Sequence, residues 1–345
     1  MITLNSFVKN SQTFWRATPV LSLDPFAWTR RPALFFEVVE AHGATHAWVP
    51  NFALLHQVRS IGEQRTYRLN SLRSLIVCSE PCKPEAFDAF VARFAASGIR
   101  PQTLQTCYAM AETVFAVAQS DCSQSVRRLV VARADLQAGA AVSLPQPGGG
   151  TLELLSNGSP VAGCAVRICC DGAVVGERMI GEICIAAPWM FSGYHRNPEA
   201  TAAVLEGGWL RSGDLGFLDG GEVFVVGRIK DVIIVNGRNL FAHDVEAAVA
   251  RVPGVRPGRA VAFGYYTAQL GSEQLVVLAE RADADTTAGD ERDTISAVNR
   301  AVLDEVGVPC GDIRLVAAGW LTKTTSGKVS RIDNARRYAE ELRRG

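Results

Sequence analysis

Along the first third of the chain, windows with apolar residues at helical spacing alternate with short, continuous apolar runs. The pattern predicts helices over residues 31–42, 51–61 and 84–97 and another from Ala111, with strands over 45–49 and 74–78 and an extended segment at 102–106. Strand and helix in turn argue for a parallel sheet with helices packed over it. The first thirty residues are irregular, and Pro19, Pro25 and Pro32 mark loop boundaries.

From Ser120 the pattern weakens. Residues 120–150 are rich in Ser, Gln, Ala and Gly and end in Pro145-Gln146-Pro147-Gly148-Gly149-Gly150, which predicts a loop or a loosely packed insertion. From Thr151 to Gly227 short β-prone segments are cut by Asn157-Gly158, Asp171-Gly172 and Asp219-Gly220-Gly221, the punctuation of hairpins, and predict a small antiparallel sheet or barrel. Strands over 222–226 and 231–235 flank Gly227-Arg228-Ile229-Lys230, a natural hinge. A helix at 242–251, strands at 258–265 and 273–280, a polar acidic loop at 282–291, a helix at 294–306, a strand at 312–316 and a helix at 333–344 complete an α+β unit. The expected fold class is α/β, divided as 1–118 (parallel sheet with helices), 119–150 (insertion or loop), 151–229 (antiparallel β subdomain) and 230–345 (mobile C-terminal α+β domain).

Composition narrows the function. At 345 residues and 48% hydrophobic content the chain supports two or three domains with their own cores. Its 35 basic and 35 acidic residues balance, so no global field favours a nucleic acid or an anionic membrane, and a nucleotide must be held by local groups. No apolar run reaches the roughly 18 residues of a membrane span, and the N-terminus lacks a secretory layout, so the expected location is the cytoplasm. The nine cysteines follow no disulfide framework and read as reduced and mostly buried. His42 and His46 stand four apart without a second pair at zinc spacing, and no metal is expected there.

Three separated segments carry chemistry. Arg211-Ser212-Gly213-Asp214-Leu215-Gly216 sets an acid after a turn, and a carboxylate can accept from both vicinal hydroxyls of a ribose. The run from Gly227 to Asn239 places Arg228 and Lys230 at a strand junction. Thr324-Thr325-Ser326-Gly327-Lys328 puts a lysine on a loop whose glycine permits close approach to a phosphate. Each taken alone also reads as an ordinary turn or a solvated surface residue.

Together with Cys107-Tyr108-Ala109-Met110-Ala111-Glu112, and with Gly181-Glu182-Ile183 through Gly193-Tyr194 and Asn197-Pro198-Glu199-Ala200-Thr201, these segments stand in family order. From about Pro19 to its end the chain resembles the adenylate-forming superfamily of acyl-AMP and acyl-CoA ligases and peptide-synthetase adenylation domains. Within it the likeness is to the fatty acyl-AMP ligases. The features are Gly237-Arg238-Asn239-Leu240-Phe241 with Asp244-Val245-Glu246, Leu155-Ser156-Asn157-Gly158 leading to Gly163 and Val166-Arg167-Ile168, and the extra segment at 120–150.

The resemblance implies ATP-dependent activation of a fatty or related carboxylic acid as acyl-AMP, with Mg²⁺, and transfer to an acyl carrier protein. It implies Lys328 as the catalytic lysine, Asp214 on the ribose, Arg228 near ribose or phosphate, Tyr108 on adenine, Glu112 on Mg²⁺ and Lys230 as the pivot of the C-terminal domain. Asn51, Phe52, Trp189 and Met190 read first as core and second as contacts to acyl chain or nucleotide.

Two departures stand out. No segment of residues 1–32 resembles the family's Gly-, Ser- and Thr-rich phosphate loop, so the large domain is expected to be incomplete. Cys78 and Ala109 replace glycines beside the presumed purine, each adding a Cβ that would narrow the pocket. Three accounts stay open: a split enzyme completed by a separate polypeptide, a degenerate protein that binds a carrier protein, or a native chain that begins upstream. An acyl-CoA ligase is the remaining alternative and differs in the acceptor.

Overall fold

The computed structural model describes residues 2–3, 19–78, 81–145, 150–235, 238–267, 272–282, 291–324 and 329–344. The chain divides into two compact units, 1–226 and 227–345, against the boundary at 230 expected from sequence.

The first unit carries the predicted parallel sheet. Its order is Leu21–Ser22, Ile2–Thr3, His46–Pro50, Ser74–Cys78, Leu104–Ala109, Ala116–Gln119, Ser159–Pro160, parallel as far as Leu104–Ala109. Ser74–Cys78 is buried at every position, as a central strand covered on both faces must be. The helices Ala33–His42, Asn51–Ser60 and Pro84–Phe94 follow from their apolar faces. Phe35, Phe36, Phe90 and Phe94 are fully buried, with the Phe36 and Phe94 rings 4.6 Å apart. Gly43, in the left-handed region, closes the first of these helices, and Pro84 opens the last.

Three expectations are corrected here. No helix runs from Ala111: a single 3-10 turn, Ala111–Thr113, is followed by a reversal at Val114 (φ 64°), and Ala116–Gln119 pairs antiparallel with Leu104–Ala109. The sheet edge satisfies the backbone of this apolar segment, whose Val117 and Ala118 are fully buried, and that outweighs its helical propensity. Nor is 119–150 all loop, because Arg128–Ala132 pairs antiparallel with Thr151–Leu155. Asn157-Gly158 likewise makes no hairpin. It carries the chain from that ribbon to the edge of the large sheet, with Gly158 at φ 81°, where a Cβ would stand 2.0 Å from the Gln119 carbonyl.

A second, antiparallel sheet of the first unit orders Ala173–Val175, Ala165–Cys170, Gly181–Ala186, Trp209–Asp219 and Leu205–Glu206, with Glu222–Arg228 also paired to Trp209–Asp219. Hairpins turn at Asp171-Gly172 and at Asp219-Gly220-Gly221, as expected. Asp219 anchors the second turn: Arg178 Nε donates to it at 2.6 Å, Arg127 Nη2 pairs with it, and Arg127 Nη1 donates to its carbonyl at 2.7 Å. The Arg178 hydrogen bond first, and then Arg127, holds the Asp219 carboxyl below its ordinary 3.8. A depressed carboxylate pKa stabilises above the unfolded value and loses that effect as pH falls through the folded one. Asp219→Ala is expected to lower unfolding free energy at neutral pH by about 2 kcal/mol. It should also flatten the acid limb of a urea-denaturation series; an unchanged acid limb would show that Asp219 titrates alike in both states.

In the second unit, strand alternation divides the sheet Val255–Thr267, Ser272–Arg281, Asp312–Val316 between two cores. Leu275, Val277 and Ala279 face the helices Ala242–Val249 and Glu291–Val306, the latter burying Thr294, Val298, Val302 and Val306 at four-residue spacing. Val276 and Leu278 face Leu321 and Tyr338, the latter from the helix Arg331–Arg344. The hairpin Val232–Val235 with Arg238–Phe241 adds to the first of these cores. Residues 283–290 of the expected acidic loop lie outside the described residues.

All nine cysteines are free thiols; Cys78, Cys107 and Cys184 are buried and Cys122 is exposed. Burial pushes the Cys184 thiol up to about 12 and the Cys107 thiol higher still, so neither forms a ready thiolate. Among the described residues no helix is long and apolar enough to cross a membrane, and no group of three or more His, Cys, Asp or Glu side chains has metal-binding geometry.

Candidate functional site

In the first unit the fold joins two of the expected residues. Tyr108, near the end of Leu104–Ala109, donates its hydroxyl to Asp214 Oδ2 at 2.7 Å, across 106 residues of sequence. Both are buried, at 8% and 5% exposure. The Tyr108 ring lies in an apolar cluster with Val117, Ala118, Ile183, Ile185 and Val223.

Asp214 owes its direction to a bulge. Glu182 pairs with Leu215 and Cys184 with Arg211, so Ser212, Gly213 and Asp214 together stand opposite Ile183. Such an irregularity re-aims a side chain. Its geometry is fixed locally: the Asp214 amide donates to Ser212 Oγ at 3.0 Å, and the Gly213 amide donates to Glu182 Oε1 at 3.0 Å. Gly213 sits at φ 72°, and Glu182 is paired in turn with Arg211. An acid after a turn was legible in Ser212-Gly213-Asp214; Glu182, which holds that turn, was legible only as part of Gly181-Glu182-Ile183.

Glu112 lies on the 3-10 turn that follows Tyr108. Its Oε1 accepts the Tyr194 hydroxyl at 2.9 Å, and its carbonyl accepts the Phe191 amide at 2.8 Å, so one loop holds it by both side chain and backbone. Burial, and then the neighbouring Glu112, pushes the Tyr194 phenol above its ordinary pKa. Tyr194 is a partner that sequence reasoning did not assign, although it belongs to the Gly193-Tyr194 motif.

Cys78 packs with Ile76 and Cys107, against Trp48, Ala109 and Phe115, so the Cβ atoms at 78 and 109 contribute to an apolar cluster at the strand ends. Asn51, Phe52, Trp189 and Met190 are corrected from core to surface or half-buried positions. Asn51 and Phe52 start the helix Asn51–Ser60, and Trp189 and Met190 sit in a loop. Phe52 is 46% exposed and stacks on Trp28 at 5.7 Å, while Asn51 Oδ1 accepts the Lys83 amide at 3.3 Å.

In the second unit Arg228 ends the strand Glu222–Arg228, and Lys230 sits in the 3-10 turn Ile229–Asp231; both are exposed. Lys328, with Thr325 to Gly327, lies outside the described residues. The segment around it is framed by a bridge between Lys323 and Val329.

The two carboxylates are acceptors of the kind that hydroxyl groups and hard cations take. A carboxylate offers about four lone-pair sites, so Asp214 can serve two vicinal hydroxyls beside the Tyr108 phenol. Mg²⁺ is ordinarily held by one or two carboxylates with substrate phosphates, so one carboxylate such as Glu112 would be enough on the protein side.

Residues 14–195 match the family described as AMP-binding enzyme. The medium-chain fatty acid–acyl carrier protein ligase JamA of Moorena producens is 30% identical over 335 residues, covering 93% of this chain and 56% of the relative. The long-chain fatty acid–AMP ligase of Mycobacterium tuberculosis is 30% identical over 339 residues, covering 92% of this chain and 57% of the relative. A solved structure from a study of fatty acyl-adenylate ligases of E. coli and L. pneumophila superposes with TM-score 0.86 at 27% identity, covering 100% of this chain and 62% of that one. The chain thus spans a little more than half the length of the curated relatives it matches.

Proposed function

The chain belongs to the AMP-binding enzyme family, and from that premise we propose that it activates a fatty or related carboxylic acid with ATP and passes the acyl group to an acyl carrier protein. The observation that carries this reading is the buried Asp214 carboxylate, aimed by a bulge and pinned by Tyr108.

In the first step a carboxylate oxygen of the acid attacks the α-phosphorus of ATP; the new P–O bond forms as the bond to pyrophosphate breaks. In the second the carrier's thiol, losing its proton, attacks the acyl carbon and AMP leaves. Asp214 grips the ribose hydroxyls and so fixes the α-phosphate at the end of a short lever, with Tyr108 bordering the adenosine. Mg²⁺, when bound, would neutralise charge on the phosphates. Glu112 is the residue that would hold it, steadied by Tyr194 and Phe191. Arg228 adds a cation near ribose or phosphate, Lys328 neutralises charge between carboxylate and phosphate, and Lys230 is the pivot of the C-terminal unit.

The acceptor assignment follows the carrier-protein ligase among the relatives. With acyl adenylate supplied, thioester is expected on a phosphopantetheinylated carrier protein at a rate at least about tenfold above that on coenzyme A, the scale set by a fitted macromolecular acceptor over its bare thiol arm. Equal rates on the two thiols would turn the reading to an acyl-CoA ligase.

A further inference from the structure

Arg331, three residues beyond Lys328, makes more polar contacts in the second unit than a surface arginine needs. Its Nη2 donates to both oxygens of Glu246, at 2.8 and 3.1 Å, its Nε donates to the Ala262 carbonyl at 2.9 Å, and its Nη1 pairs with Asp231 Oδ1. Glu246 also takes the Ala262 amide at 3.0 Å. The side chain of Arg331 is only 21% exposed. Asp231 is the last residue of the turn that contains Lys230.

The flanks of the Lys328 segment are themselves tied. Fully buried Asn334 accepts the Thr322 amide at 2.9 Å and donates to the Thr322 carbonyl at 3.0 Å and the Ser330 carbonyl at 2.6 Å. The Ser330 amide donates to the Thr322 carbonyl at 2.9 Å, and Leu321 donates its amide to the buried Glu280 at 3.1 Å. Residues 321–323 and 329–334 therefore form a stem closed on itself, and the Arg331 guanidinium binds that stem to the hinge turn and to the helix Ala242–Val249.

We propose that Arg331 is a positioning residue that couples the hinge turn Ile229–Asp231 to the stem flanking Lys328, so that the two move as one piece. The proposal rests on reading Lys328 as the catalytic lysine and Lys230 as the pivot. A rotation at residue 230 is then delivered to the stem that flanks the lysine, because the residue after the pivot and the stem residue Arg331 share one rigid, planar fork. A lysine at 331 has a point charge in place of that fork and cannot serve three acceptors in fixed directions.

The test measures amide hydrogen exchange and both half-reactions in Asp231→Asn, Asp231→Glu, Arg331→Lys and Lys328→Ala. Asp231→Asn and Arg331→Lys are expected to speed exchange at Ser330 and Asn334 by about fivefold or more and leave the helix Glu291–Val306 unchanged, as local opening of a coupled segment does. Adenylation should fall about tenfold or more in both, since a displacement of an ångström is costly to a near-attack geometry, and Asp231→Glu should recover part of it. Unchanged exchange at Ser330 and Asn334 in both variants overturns the coupling, as does a rise that spreads through Glu291–Val306, which would make Arg331 a plain fold-stabilising residue. Lys328→Ala separates the two layers: if it keeps full adenylation, the catalytic reading of Lys328 fails while the exchange result still decides the coupling.

Discussion

Alanine at position 328 is expected to lower the rate of acyl-adenylate formation by about 10² to 10³-fold, the scale of removing one preorganised group that meets developing charge. The reaction brings a carboxylate against a phosphate that is itself anionic. An ammonium between them has its greatest effect where the two oxygens crowd around phosphorus. Its removal should therefore appear in kcat far more than in the KM for ATP or for the acid. Lys328→Arg should also remain at least about tenfold down, because a planar, more weakly hydrated fork does not substitute for a compact charge on a flexible stem. Transfer from preformed acyl adenylate should fall by less than about tenfold, since the reading assigns that step to a C-terminal unit that has rotated about Lys230. Rapid-quench measurement of the two steps decides it. If Lys328→Ala leaves adenylate formation intact, another cation meets the developing charge, and the catalytic assignment of Lys328 is lost.

What the sequence disclosed and what it hid follow one physical division. Helices such as Ala33–His42 and Glu291–Val306 and the buried strand Ser74–Cys78 were legible because their patterns are local: apolar spacing, a glycine or proline at the end, a run of β-branched residues. The segment after Ala111 was misread because the partner that makes Ala116–Gln119 a strand is a sheet edge, not a neighbour in sequence. The strand Arg128–Ala132 was hidden for the same reason, since its partner Thr151–Leu155 lies across a stretch rich in alanine and glycine. At the site, the acid of Ser212-Gly213-Asp214 could be picked out by chemistry. Its hydrogen bond to Tyr108 could not, because 106 residues separate the two and only the packing of two sheets in the first unit brings them together. Tyr194 on Glu112 is a contact of the same kind, spanning 82 residues.

That long-range hydrogen bond yields a prediction that singles out the sugar. Asp214→Ala is expected to weaken binding of a non-hydrolysable acyl-adenylate analogue by about 100-fold, the sum of two hydroxyl contacts to a charged acceptor at about 1.5 kcal/mol each. The sharper result comes from pairing the variant with a 2′-deoxy analogue. Against Asp214 the deoxy analogue should bind about 10- to 100-fold more weakly than the ribose form, the range of one charge-assisted hydrogen bond left unmade. Against alanine the two analogues should bind alike, because the group that distinguishes them is gone, and the difference between the two ratios isolates the contact. Tyr108→Phe should keep the discrimination while weakening both analogues by about fivefold, as expected when a pinning hydrogen bond of about 1 kcal/mol is lost and the carboxylate retains its charge. It should also lower unfolding stability by about 1–3 kcal/mol, since the buried carboxylate loses a donor. Calorimetric titration of both analogues with the three proteins, alongside a denaturation curve for each, gives all of these numbers. Equal binding of ribose and deoxyribose forms by the unmodified protein would remove Asp214 from the sugar, and would leave its hydrogen bond to Tyr108 as a link between two sheets and nothing more.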